Sequence, residues 1–159
     1  MDRRFMPHCT VAILIEHAGS ILMVEERDEE GRLVFGIPAG HVEARESILE
    51  AALREGREEI GVPIELESVI GIYDYVKDYE TILRFCCRAR LQGGPPAQFS
   101  PSDPDGDIVG VRWYARADIY AQRERWRTRL VGQCVDDFYR GCAYPLSLIT
   151  TVSARRETV

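Results

Sequence analysis

Lysine is almost absent from this chain. All but one of the 20 basic residues are arginine, and the single lysine is Lys77. A guanidinium suits phosphate because its planar donors pair with two oxygens at once, but codon bias is the explanation of the count that we favour. The net charge of −6 over 159 residues argues against non-specific binding to nucleic acid or to an anionic membrane. We therefore expect neither of these partners.

Cysteine ligand patterns and long hydrophobic runs are also missing. The cysteines are odd in number and show no CxxC spacing, which argues against a disulfide framework or a zinc site and favours a cytoplasmic location. No run approaches the roughly 18 apolar residues of a membrane span, and MDRRFMPHCT lacks the apolar segment of a signal peptide. The five cysteines are Cys9, Cys86, Cys87, Cys134 and Cys142.

Hydrophobic patterning predicts strands, a helix, further strands and a final helix. This order favours an α+β fold, an α/β/α sandwich with a mixed central β-sheet between helices. No linker divides the chain, so we expect a single domain over residues 1–159, with a core at about 7–149 and a flexible C-terminal tail. The predicted strands are 9–15, 21–26, 33–38, 66–75, 82–91 and 109–115, the predicted helices are 47–60 and 129–139, and residues 93–107 form a long loop.

The helix at 47–60 has one apolar stripe and one acidic stripe. Leu49, Leu53, Gly56 and Ile60 recur at helical spacing and predict the buried face, and Gly61 followed by Pro63 predicts the end of the helix. Gly56 lies within the apolar stripe, where it costs about 1 kcal/mol relative to alanine. We therefore expect the helix to approach the sheet closely at that position.

The acidic stripe consists of Glu55, Glu58 and Glu59, and carboxylates three or four residues apart repel one another. Two interpretations are open. The helix is a solvated one balanced by neighbouring arginines, or the carboxylates bind divalent cations, since clustered carboxylate oxygens form the hard ligand set that Mg²⁺ prefers.

The spacing around this helix resembles the signature of the Nudix hydrolase family, GX5EX7REUXEEXGU, in which U is a bulky aliphatic residue. Gly40, Glu46, the pair Arg54-Glu55, the pair Glu58-Glu59 and Gly61-Val62 occupy its fixed positions. The one departure is Gly56 at the first U position. Looser similarity to the branch of thiamine-diphosphate and nucleotide phosphatases extends over most of residues 7–149, through PHCTVA, PAGHVE, LRF and RLVGQCVDDFYRGCAYPLSLI.

The resemblance implies a metal site and its supports. The carbonyl of Gly40 and the carboxylates of Glu58 and Glu59 would hold Mg²⁺, with Mn²⁺ as an alternative, and Glu55 would act as a further ligand or as the base. Arg54 and Glu46 would form an ion pair that orients the glutamates.

Family members commonly add an acidic residue from a later loop as base or extra ligand. Asp107 is our first candidate, with Asp105 and Asp103 as alternatives, although turn formation also explains aspartates in this loop.

Substrate contacts are predicted for Arg84 and for Tyr75. Arg84, Arg88 and Arg90 share one side of a strand and suit phosphate, but a solvated strand face is an equal explanation. Tyr73, Tyr75 and Tyr79 lie at the end of a strand, where they either stack on a ring of the substrate or pack against the core or its rim.

The resemblance to the Nudix hydrolases implies an enzyme that cleaves a phosphoanhydride with Mg²⁺. The expected substrates are small: thiamine or hydroxymethylpyrimidine diphosphate, or nucleoside di- and triphosphates. A pyrophosphohydrolase acting on ADP-ribose or on an oxidised nucleotide is the alternative, followed by a non-catalytic ligand-binding domain. The quaternary state is expected to be a monomer or a homodimer.

Overall fold

The computed structural model describes residues 5–154 and contains seven strands and three α-helices in that range. The part of the predicted tail at 155–159 lies outside the described residues, whereas residues 151–154 lack regular secondary structure. The strands are β1 His8–His17, β2 Ser20–Arg27, β3 Leu33–Gly36, β4 Ala39–His41, β5 Ile64–Val76, β6 Thr81–Leu91 and β7 Ile108–Ala115. The helices are α1 Ile48–Ile60, α2 Arg116–Ala121 and α3 Leu130–Tyr139, with 3₁₀ turns at Arg123–Arg125 and Leu146–Leu148.

Strand β1 is the centre of the sheet. It pairs in parallel with β6 and antiparallel with β4, and near its carboxyl end it turns into β2 through the hairpin at Ala18-Gly19. The order β3-β2-β1-β6-β5, with β4 beside β1 and β7 beside β2, makes one mixed seven-stranded sheet. The predicted mixed sheet is therefore confirmed.

Alternate residues of β1 supply two separate cores. Val11, Ile13 and Ile15 pack on the side that carries α1, whereas Ala12 and Leu14 pack on the side that carries α3. Because both faces of this strand are covered, its sequence is a continuous apolar run rather than an alternating one. The sheet with a helix layer on each face is the predicted α/β/α sandwich.

Helix α1 begins and ends where the sequence indicates. Ser47 accepts a hydrogen bond from the backbone N–H of Glu50, whose side chain in turn accepts from the N–H of Ser47, which is a complete capping box. Gly61 ends the helix in the left-handed region at φ 76°. A Cβ on Gly61 would lie only 1.9 Å from the carbonyl oxygen of Ser100. The loop at 92–107 therefore packs closely against the carboxyl end of α1.

The buried face of α1 differs from the prediction. Ala51, Ala52, Gly56 and Ile60 are buried, whereas Leu49 and Leu53 are only partly buried. The close approach at Gly56 is present, since a Cβ there would lie 2.4 Å from Ile64 Cδ1. Glu55 and Glu59 are also buried, so the acidic stripe overlaps the buried face instead of lying apart from it.

Candidate active site

Helix α1 directs two glutamates toward the sheet and a third toward the edge of the helix. Glu55 and Glu59 are 9% and 7% exposed, whereas the side chain of Glu58 is 28% exposed. Residues 55 and 59 are one helical turn apart and 58 lies beside them. The three carboxylates therefore face one cleft at different depths.

Strand β4 forms the floor under these carboxylates. The backbone N–H of Ala39 donates to Glu59 Oε2 at 2.9 Å. A Cβ on Gly40 would lie 2.1 to 2.5 Å from the carboxylate atoms of Glu55. Only glycine leaves room for the Glu55 carboxylate against the backbone here.

Arg54 joins the acidic residues of the helix to the loop before it. Its Nε and Nη2 donate to both oxygens of Glu46, at 3.0 and 2.7 Å, and Nη2 also donates to the carbonyl of His41 at 2.8 Å. Its Nη1 donates to Glu55 Oε1 at 2.8 Å and to Glu58 Oε2 at 3.1 Å. Because Glu46 and the carbonyl of His41 hold the guanidinium of Arg54 in place, its Nη1 in turn positions the carboxylates of Glu55 and Glu58.

The protonation of these groups follows their burial and their partners. Burial raises the pKa of Glu59 to about 8, although the charge of Arg127 and the N–H of Ala39 oppose that rise. Burial also raises the pKa of Glu55. The hydrogen bond from Arg54 lowers the pKa of Glu46. A buried carboxylate with a raised pKa gains a large free energy from a nearby cation, because the cation offsets the desolvation of the charge.

The opposite wall of the cleft comes from β2, from the segment before α3 and from the loop at 92–107. The cleft has a volume of about 630 Å³, and Glu26, Glu29 and Arg127 line it together with Asp103, Asp105 and Asp107. Arg127 Nη1 donates to Glu26 Oε2 at 2.7 Å, and the N–H of Ser102 donates to the carbonyl of Glu58 at 2.8 Å. The loop is thus attached to α1 and brings its aspartates to the cleft.

The three loop aspartates differ in their hydrogen bonds. The carboxylate of Asp103 accepts from the backbone N–H groups of Asp105 and Asp107, which is turn chemistry. Within residues 5–154, the carboxylates of Asp105 and Asp107 accept no hydrogen bond and form no ion pair. The structure therefore leaves these two carboxylates free for chemistry in the cleft.

The predicted substrate-binding residues lie away from this cleft's lining. Arg84 is buried at 4% exposure, so the solvated-face explanation is wrong for it, whereas Arg88 and Arg90 pair with Glu67 and Glu65 at the surface. Tyr75 lies in a separate depression between β5 and the start of α3.

The other two tyrosines of this stretch also lie away from the cleft. The hydroxyl of Tyr73 donates to Asp137 Oδ2 at 3.0 Å, which ties β5 to α3, and Tyr79 is 97% exposed. Tyr73 therefore serves packing between the sheet and α3.

Comparison with known proteins decides the family. The model of the NUDIX domain matches residues 6–132. The chain belongs to the Nudix family. The Phosphatase NudJ of Escherichia coli (strain K12) is 35% identical over 147 residues, which cover 91% of this chain and 92% of the relative. The chain is accordingly a Nudix hydrolase.

Solved Nudix structures share this architecture. A NUDIX hydrolase from Nitrosomonas europaea superposes with a TM-score of 0.86 at 33% identity, covering 94% of this chain and all of that one. A bifunctional NMN adenylyltransferase/ADP ribose pyrophosphatase from Francisella tularensis, complexed with AMP and a Mn ion, has a TM-score of 0.69 at 20% identity, over 87% of this chain and 43% of that one. The second likeness concerns the fold alone.

The glutamate carboxylates of α1 are ligands that a hard divalent cation prefers, although Arg54 donates hydrogen bonds to two of them in this structure. Among residues 5–154, no three His, Cys, Asp or Glu side chains already surround one metal position. Arg54 Nη1 bridges Glu55 and Glu58, which accounts for this arrangement. The buried carboxylate of Glu59 and the carboxylate of Glu55, which lies against Gly40, are oxygen ligands of the kind that Mg²⁺ and Mn²⁺ prefer.

Sequence reasoning missed Glu26, Glu29 and Arg127, which line the cleft of this Nudix fold. They are distant in the chain from the Nudix signature and show no periodic pattern. The pairing of β2 with β3, together with the hydrogen bond from the N–H of Arg127 to the carbonyl of Phe35 at 2.8 Å, brings them to the site. Also within residues 5–154, no helix has the length and apolar character needed to cross a membrane.

Proposed function

We propose that this Nudix hydrolase cleaves a phosphoanhydride in a small diphosphate or nucleotide, with Mg²⁺ as its cofactor and Mn²⁺ as a substitute. The proposed substrates are thiamine or hydroxymethylpyrimidine diphosphate and nucleoside di- or triphosphates. The observation that carries this proposal is the convergence of Glu55, Glu58 and Glu59 on one cleft against Gly40, with Glu55 and Glu59 nearly buried.

The residues proposed to hold the cation are the carbonyl of Gly40 and the carboxylates of Glu55, Glu58 and Glu59. When bound, a divalent cation neutralises phosphate charge and lowers the pKa of a bound water. Arg54 is a positioning residue, because it contacts Glu55 and Glu58 directly. Glu46 in turn fixes Arg54 through two hydrogen bonds.

A carboxylate in the cleft must accept the proton of the attacking water. The water oxygen forms a new bond to phosphorus, the anhydride P–O bond breaks, and the leaving phosphate departs with its electron pair. Asp107 is the first proposed proton acceptor, and Glu55 is the alternative if it does not bind the cation. Asp107 lines the cleft with a carboxylate free of hydrogen bonds to the described residues, which favours it over Asp103.

A substrate panel tests the reaction. Purified protein is incubated with thiamine diphosphate, ADP, GTP, ADP-ribose and an oxidised nucleoside triphosphate, and released phosphate and pyrophosphate are measured with Mg²⁺, with Mn²⁺ and with EDTA. We expect hydrolysis of thiamine diphosphate or a nucleoside diphosphate that EDTA abolishes. Cleavage of ADP-ribose alone would contradict the proposed substrates, and turnover in EDTA would contradict the cofactor.

Substitution of the metal-binding carboxylates tests their roles. We expect Glu58→Gln and Glu59→Gln to lower kcat by about 10²-fold or more, since the electrostatic stabilisation that a metal supplies is worth several kcal/mol. The matched control is Glu124→Gln, which removes the same charge from an 88% exposed side chain on the 3₁₀ turn. Full activity in both cleft variants would refute the proposed ligands.

A further inference from the structure

A row of polar side chains crosses the sheet beside the cleft. His41 on β4 and Arg84 on β6 are both Cα partners of Thr10 on β1, so the three lie side by side on one face. Arg84 Nε donates to Thr10 Oγ1 at 3.2 Å. His41 also lines the cleft described above. The row therefore leads from the cleft into the face of the sheet that α3 covers.

Arg84 is an unusual member of this row, because it is a buried cation that has no carboxylate as an ion-pair partner. It is 4% exposed and forms no ion pair with any residue in the range 5–154. Burial lowers the pKa of its guanidinium, and the charge of Arg127 adds to that effect. Removing a charge from water without an opposite charge beside it is strongly unfavourable, so the burial of this arginine requires an explanation.

The terminal nitrogens of Arg84 still reach solvent. Across the described chain, Tyr139 Oη is the only fully enclosed side-chain nitrogen or oxygen without a hydrogen-bond partner. The Nη atoms of Arg84 have no protein partner either, since its one hydrogen bond uses Nε. These atoms must therefore keep contact with water, and they present free donors at the end of a nearly buried side chain.

Arg127 brings a second guanidinium to this region. Besides Arg54, it is the one arginine or lysine among the described residues that line the cleft. Arg54 is occupied by Glu46, Glu55, Glu58 and a carbonyl. Arg127 uses Nη1 for Glu26, and its Nε and Nη2 donate to no described residue. Arg127 and His41 line the same cleft, and His41 lies beside Thr10, to which Arg84 donates.

We propose that Arg84 and Arg127 form an anion subsite next to the carboxylate cleft, which binds the terminal phosphate of the substrate. A terminal phosphate carries more charge and more free oxygens than a phosphate esterified on both sides, and guanidinium forks match such oxygens in pairs. The subsite thereby selects diphosphates with a free end over diesters such as ADP-ribose. This inference rests on the proposed hydrolysis of small diphosphates.

A purely structural role for Arg84 predicts different behaviour. In that case the guanidinium serves as a counter-charge to Glu59, whose charge contributes to the pKa of Arg84. Its loss would then weaken metal binding and kcat for every substrate alike. An anion subsite instead affects the KM of substrates with a terminal phosphate and the inhibition by inorganic phosphate.

The test compares Arg84→Gln, Arg84→Lys and Arg127→Gln with the wild type. Arg90→Gln is the control for Arg84, because it lies on the same face of the same strand at the surface. Arg125→Gln is the control for Arg127, because its guanidinium stacks on Phe35 instead. For each protein, kcat and KM are measured with thiamine diphosphate, ADP and ADP-ribose, together with the Ki of inorganic phosphate and the Kd of Mn²⁺ in the absence of substrate.

We expect the glutamine variants at positions 84 and 127 to raise the KM for ADP or thiamine diphosphate and the phosphate Ki by about 10-fold or more, the effect of losing a hydrogen bond to a charged group. If ADP-ribose is hydrolysed, its KM should stay within about twofold of the wild-type value, and so should the Kd of Mn²⁺. Arg84→Lys should restore part of the phosphate affinity. Arg127→Gln decides the matter if Arg84→Gln does not fold.

Two results would overturn the subsite. One is metal-dependent hydrolysis with unchanged KM and phosphate Ki in Arg127→Gln. The other is an equal loss of kcat on every substrate together with weaker Mn²⁺ binding. Absence of hydrolysis of every compound by the wild type would instead refute the proposed function, so the two failures are distinguishable.

Discussion

At the scale of single residues, the glycine at position 40 leaves room for the carboxylate of Glu55, a proposed metal ligand. The space that a Cβ would take is filled by the carboxylate of Glu55. Gly36, in the preceding strand β3, has different surroundings, because the atoms nearest to a Cβ there would be 4.0 Å away. The two positions form a matched pair for testing close approach at the site.

Gly40→Ala is expected to displace the Glu55 side chain. Because the obstructed group is the end of a flexible side chain, the free energy of unfolding should fall by less than about 1 kcal/mol. The affinity for Mn²⁺ and kcat/KM should fall by about 10–100-fold, as is typical when the support of a metal ligand is lost. Urea denaturation and a Mn²⁺ titration measure the two effects.

The control for this substitution is Gly36→Ala, which should leave both quantities near their wild-type values. Full Mn²⁺ affinity and activity in the Gly40→Ala variant would show that the position of the Glu55 carboxylate does not depend on a glycine at residue 40.

At the scale of elements, the local sequence defines the ends of helix α1, and the helix carries charged residues of the site. Its amino end is fixed by the Ser47 capping box and its carboxyl end by Gly61, and between them it carries Arg54 and the three cleft glutamates. The signal at its carboxyl end, Gly61 followed by Pro63, was identified from the sequence, and the predicted range 47–60 differs from the observed helix only by including the N-cap Ser47. The burial of Glu55 and Glu59 was not predictable from helical periodicity, because it depends on where β4 lies.

Ser47→Ala removes the side-chain half of the capping box. It should lower the free energy of unfolding by about 1 kcal/mol, the usual cost of losing an N-cap. Ser47→Thr keeps a hydroxyl acceptor and should recover most of that loss. Chemical denaturation followed by circular dichroism measures both. Equal stability of the alanine variant and the wild type would contradict the role of the cap.

Other elements carried weaker signals. Strand β4 has three residues, Ala39–His41, beside a proline, and it owes its place to pairing with β1. Helix α2, Arg116–Ala121, buries only Ile119, so it shows no apolar period. Both were missed because tertiary contacts, and not local preference, hold them in place.

At the scale of the whole molecule, the sheet brings distant segments to one cleft. The Nudix signature predicts α1 and its glutamates, but Glu26 and Arg127 reach the site through strand pairing across the fold. The loop at 92–107 is fixed to α1 by the hydrogen bond from Ser102. Contacts between positions far apart in the chain produce no recognisable spacing pattern in a single sequence. Glu26 and Arg127 were therefore not predicted.

Calorimetric titration of the intact protein with Mn²⁺ tests the claim that the crowded carboxylates of α1 hold a divalent cation. We predict saturable uptake that Glu59→Gln weakens by at least about 10-fold, whereas Glu124→Gln leaves it unchanged. Absence of Mn²⁺ and Mg²⁺ uptake by the folded wild type, or equal uptake by the Glu59→Gln variant, would contradict the claim.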